Sequence, residues 1–126
     1  MCARGASALR ELLAAHPRAD LRVLVVWEPV LEGDAGPPSG TFAGDTRVVE
    51  LWDPALALSA RAMARYRADL AAAGRPPPRP DQIAWDFIAF YPAGQRWEDP
   101  FPEPAWHGEP VVRALPGSPV EAALVK

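Results

Sequence analysis

The stretch Leu21-Arg22-Val23-Leu24-Val25-Val26-Trp27-Glu28-Pro29 decides the fold. In an extended chain Leu21, Val23, Val25 and Trp27 fall on one face and Arg22, Leu24 and Val26 on the other. The second half is therefore apolar on both faces. Such a strand is expected where helices cover a sheet on both sides. Glu28-Pro29 ends it, because a proline gives no N–H to a ladder. A second stretch, Ile83-Ala84-Trp85-Asp86-Phe87-Ile88-Ala89-Phe90-Tyr91, has the same character, with Asp86 as its one charge. The two are expected in one central sheet, with Trp27, Phe87 and Tyr91 largely buried.

Working outward, Ala3–Ala15 reads as a helix. Ala6, Leu9, Leu12 and Leu13 recur at helical spacing. His16-Pro17 stops it, since the residue before a proline is pushed out of the α region. A cationic histidine also suits a helix C-terminus, which accounts for His16 without a function. Arg47–Leu51 is a short candidate strand. Asp53-Pro54 opens a second helix, with Asp as cap and Pro at the first helical position, and Gly74 closes it after Ala73. Val111–Leu115 reads as a short strand. Ser118-Pro119-Val120-Glu121 matches a capping box that opens a final helix to Val125.

The chain has 126 residues, 49% of them hydrophobic and 23% charged, which fits one globular domain spanning residues 1–126. Its net charge of −3 and the lack of any Lys/Arg cluster argue against a nucleic-acid partner. Lys occurs only at Lys126, and Arg, Ala and Pro are abundant, a bias typical of GC-rich bacterial genomes. The longest apolar run falls far short of the roughly 20 residues a membrane span needs. No apolar segment follows Arg4, so no signal peptide is legible and a cytoplasmic location is expected. The single cysteine excludes an internal disulfide and fits a reducing compartment. Of the sixteen prolines, eleven gather at Pro37-Pro38, at Pro76–Pro80 and from Pro92 to Pro110. These must be loops, and long ordered loops often carry function.

Read in order, the elements run α, β, short β, α, β, β, α. A thioredoxin fold runs β-α-β-α-β-β-α. From the first helix onward the chain resembles that fold, and Val23–Val30 and Ile83–Pro92 resemble bacterial thioredoxin-like proteins. The expected architecture is α/β, a thioredoxin-like three-layer fold with helices on both sides of a central sheet, lacking the first strand. The family carries Cys-x-x-Cys where its first strand meets its first helix. Cys2, directly before the first helix, looks like the second cysteine of that motif, with the first absent. In the family the missing strand lies between the second and third strands, so either the start shown is too late or the gap would be filled by Arg47–Leu51 or by a partner chain. The resemblance also implies a cis-proline facing the cysteines; Pro80 is nearest by order.

Two functions follow as expectations. The first is that of a truncated or degenerate thiol–disulfide oxidoreductase relative. A thiol at a helix N-terminus is favoured as thiolate, which makes Cys2 the candidate nucleophile. Glu28, at the C-terminal end of a buried strand where open α/β sheets build sites, is its candidate companion. The alternative is a redox-inactive domain that binds a protein partner through stiff aromatic loops. Trp27, Pro29, Trp97, Trp106 and His107 would then supply the contact, with Trp97 and Trp106 exposed. The spacing of His107 matches no metal-ligand pattern, and no phosphate loop or catalytic serine elbow is present, so neither cofactor nor metal is expected.

Overall fold

The computed structural model describes residues 2–31, 33, 35–36, 40–77, 82–98 and 102–124. The prolines at 37, 38, 78, 80 and 100, and Val125, lie outside the described residues. The architecture is mixed α/β. Helix α1 (Ala3–Ala15) leads to β1 (Val23–Trp27) and β2 (Val48–Trp52), then α2 (Ala57–Ala72). Strands β3 (Ile88–Phe90) and β4 (Trp106–Gly108) follow, and α3 (Val111–Ala114) and α4 (Pro119–Leu124) close the described chain.

The expected central sheet is replaced by two small ones. β1 pairs with β2 in parallel, from Val23 opposite Val48 to Trp27 opposite Trp52. β3 pairs with β4 antiparallel, from Ile88 opposite Gly108 to Phe90 opposite Trp106. Leu21–Trp27 and Ile83–Tyr91 are thus not partners. Only Ile88–Phe90 of the latter is extended in a ladder, because Asp86 takes a left-handed backbone, φ 52°, that breaks the strand before it starts. The segment read as the last strand, Val111–Leu115, opens instead with the short helix α3, and its place beside β3 goes to Trp106–Gly108, which had read as loop. β-branched valines favour strands only where a partner strand is at hand; here Val111 is fully buried against α1.

The largest core gathers around α1. Ala6, Leu9 and Leu13 form its buried stripe and meet Val25, Trp27, Phe42, Val111, Leu115 and Leu124. Burying Leu13 alone is worth about 1.5–3 kcal/mol. The α1 C-terminus is closed by Arg47, whose guanidinium donates to the carbonyls of Leu13 (2.9 Å) and His16 (2.7 Å) while Asp45 holds it from behind. That tie satisfies orphan carbonyls at the helix end. Val25 and Trp27 face this core, but the opposite face of the β1–β2 pair is open: Leu24 is 39% and Leu51 43% exposed. The expectation of cover on both faces fails there among the described residues. Helix α2 starts at Ala57 rather than Pro54, because Leu56 adopts a left-handed turn. Asp53 still caps it, accepting from the Leu58 N–H at 2.8 Å, and Gly74 (φ 66°) stops it as expected. The capping box before α4 forms in altered shape. Ser118 Oγ accepts from the Glu121 N–H, whereas the Glu121 carboxylate reaches back to the Gly117 N–H.

Candidate functional site

Cys2 occupies the N-cap of α1 in extended backbone (φ −90°, ψ 158°), and its Sγ accepts the Gly5 N–H at 3.5 Å. Its carbonyl accepts the Ala6 N–H at 3.0 Å, the first regular bond of the helix. The thiol is half-buried and not in a disulfide. A sulfur taking a helix N-terminal N–H is the arrangement that stabilises negative charge on it.

Asp86 packs against the same turn of α1 at Gly5. It is 4% exposed, and its Oδ1 has no hydrogen-bond partner among the described residues. It lies against the first turn of α1, so closely that a Cβ on Gly5 would sit 2.1 Å from that oxygen. The same imagined Cβ would stand 3.1 Å from Cβ of Val111, whose N–H donates to the Asp86 carbonyl at 2.9 Å. Glycine at position 5 is what lets the three elements meet. A buried acceptor without a partner normally costs about 1–3 kcal/mol. Together with a left-handed non-glycine backbone, it marks Asp86 as a position held in place by its surroundings. Among the described residues a cis peptide bond joins Glu109 to Pro110, immediately before Val111, and Pro80 lies outside the described residues.

Glu28 is not drawn to Cys2. Its carboxylate accepts from Ser59 twice, from the N–H at 3.0 Å and from Oγ at 2.5 Å, and Ser59 Oγ in turn accepts the Ala84 N–H. Glu28 thereby caps α2 alongside Asp53, a structural use that fits the helix dipole. Trp27 is 5% exposed, with its indole N–H on Glu50 at 2.9 Å, which removes it from the set of surface contact residues. Pro29 is half-buried. Trp97 is 38% exposed, as expected, and packs edge-on to Tyr91. Trp106 is half-buried in β4, and Phe87 and Tyr91 are half-buried rather than core.

His107 stands in a second cluster. Its Nε2 is 2.9 Å from Asp69 on α2, and Asp69 is held from its other side by Arg65 at 3.1 Å. Arg65 also pairs with Glu103. The His107 ring stacks on Phe87 (centroids 5.5 Å apart) and meets Tyr66 edge-on (5.3 Å). The His107 hydrogen bond first, and Arg65 second, hold the Asp69 carboxyl below its ordinary range. Asp69 and Arg65 carried no sequence signal, and Ser59 showed only as one of the residues marking a side of α2. Asp69 and Arg65 gain His107 and Glu103 as partners only when the 102–107 segment returns to α2, and Ser59 gains Glu28 and Ala84 only in the folded chain.

Comparison of the chain with protein families, with curated proteins and with solved structures gave no match. Among the described residues no helix is long and apolar enough to cross a membrane. No group of three or more His, Cys, Asp or Glu among them is placed to hold a metal ion.

Proposed function

We propose that the chain is a thioredoxin-like domain whose Cys2 forms mixed disulfides with a thiol-bearing partner. The observation that carries this reading is that the first turn of α1 holds Cys2 at its N-cap, with Sγ on the Gly5 N–H, and packs at Gly5 against the buried Asp86, whose Oδ1 has no partner among the described residues. The Gly5 N–H and the helix dipole favour the thiolate. Asp86 supplies an acceptor oxygen beside that turn to receive the thiol proton. The thiolate attacks one sulfur of a disulfide; a new bond joins Cys2 to that sulfur, and the other sulfur leaves as thiolate. No electrons are needed beyond those of the two reactants. With one cysteine the chain stops at the mixed disulfide, so catalytic turnover of a disulfide substrate is not expected from it alone.

Partner binding through the aromatic loops is the weaker reading: Trp27 is buried and His107 is engaged with Asp69.

The test is the rate at which oxidised glutathione labels the protein at neutral pH, followed by intact mass. The reading expects a single glutathione adduct, absent in Cys2→Ser, and severalfold slower labelling in Asp86→Asn. Labelling at an unchanged rate in Asp86→Asn would remove Asp86 from the site.

A further inference from the structure

A cleft of about 310 Å³ opens between α2 and the 102–107 segment, and no residue of α1 lines it. Ligand pockets run from about 300 to 1,000 Å³, so this one suits a molecule of about one ring. Phe87, Tyr91 and two prolines, all half-buried, give it an apolar wall. Arg61 and Arg65 line it from α2, four residues apart, and both are exposed. The rings thus lie on the inner side and the cations toward solvent. The wall is also pinned. Arg65 ties α2 to Glu103, Asp69 ties α2 to His107, and His107 stacks on Phe87. A preformed wall lowers the entropic cost of binding.

The charges choose the occupant. In the lining, two guanidinium groups stand against one carboxylate, that of Glu103. Burial pushes the Tyr91 phenol up, so it adds no negative charge at neutral pH. Asp69 is not in the lining and meets Arg65 at Nε, 3.1 Å away. Glu103 takes Arg65 Nη1. The Nη2 of Arg65 is in no hydrogen bond or ion pair among the described residues, and the side chain is 42% exposed. Guanidinium N–H groups form a planar fork that fits a carboxylate. Like charges four apart on a helix repel, and an anion set between Arg61 and Arg65 relieves that repulsion.

We propose that this cleft binds a small planar aromatic carboxylate, its ring against Phe87 and Tyr91 and its carboxylate on Arg61 and Arg65. None of these residues belongs to the α1 turn that holds Cys2, so the two proposals stand or fall separately.

The experiment titrates the full chain with three probes at low salt. Benzoate carries ring and charge, benzamide has nearly the same shape without the charge, and acetate has the charge without the ring. Affinity and place are read together from backbone amide shifts in NMR. Benzoate binds saturably and moves the amides of Ala62, Arg65 and Phe87. Benzamide binds about tenfold more weakly, the worth of a charge-assisted hydrogen bond, and acetate does not saturate over the same range. Added salt weakens benzoate and leaves benzamide unchanged. Arg61→Gln, at an exposed position, removes most of the preference for benzoate over benzamide. Ala62→Leu, which fills the cleft from α2, weakens both ring probes severalfold while the circular dichroism spectrum is kept. The proposal is overturned if benzoate fails to saturate or moves amides elsewhere, or if benzamide or acetate matches it. It is equally overturned if Arg61→Gln keeps the parent's preference, or if folded Ala62→Leu binds benzoate like the parent.

Discussion

The region around α1 and the region around α2 are built from different physics. The first is dry: Ala6, Leu9 and Leu13 meet Val25, Val111 and Leu115, and its polar ties, such as Arg47 on the last carbonyls of α1, sit at the helix ends. The second is a web of charges and rings, in which Arg65, Asp69, Glu103 and His107 hold a proline-rich segment to a helix. Apolar burial has no charges for salt to screen and is strongly sensitive to lost volume. Partly exposed ion pairs contribute little each and are screened. The two regions should therefore fail in different ways.

Breaking the first region should have the largest effect. Leu13→Ala removes a fully buried side chain and leaves a cavity, at a cost of about 2–5 kcal/mol. Urea unfolding read by Trp fluorescence checks this. A loss near that of a surface substitution would show that the α1 stripe does not carry the core.

Gly5→Ala comes next. Overpacking typically costs about 1–3 kcal/mol, and the gain of about 1 kcal/mol in helix propensity offsets only part of it. The expected net effect is destabilising, since the new Cβ would press on Asp86 Oδ1 and Val111. Pairing it with Asp86→Ala should recover part of the loss. Equal costs of Gly5→Ala in both backgrounds would show that Asp86 does not abut the α1 turn.

In the second region the effect is smaller and depends on pH. The Asp69 carboxyl is held below its usual range by His107 and Arg65. Its contribution is thus fully present above the unfolded value of about 3.9 and is lost as pH falls through the lower folded value. Asp69→Asn should cost a little stability at neutral pH, and the gap from the parent should close below about pH 4. Thermal melts across the acid range read this. A gap constant down to the most acid melt would contradict the pairing.

The same contrast explains how far the sequence could be read. Helix α1 was legible because its apolar stripe lies within one segment and is stopped by a proline. The caps at Asp53, Gly74 and Ser118 were legible because they act within a few residues. The partners of β1 and β3 were not. Pairing is a long-range choice, and Val111–Leu115 carries valines that suit a strand and a buried helix turn equally well. Asp86 was visible as the one charge in an apolar run, yet its left-handed turn against Gly5 depends on α1 packing from far away in sequence. Glu28 was misread because its acceptor role is set by Ser59, thirty-one residues on. Cys2 at the start of α1 was legible from order alone.

The central claim is that the folded α1 turn activates Cys2, and one comparison tests it most directly. The rate of Cys2 modification by oxidised glutathione is measured at one neutral pH in the native protein and again in urea, where α1 is unfolded. The account predicts that the native thiol reacts severalfold faster than the unfolded one despite being half-buried, because the N-terminal N–H groups stabilise its thiolate. A native rate equal to or below that of the unfolded chain would contradict it.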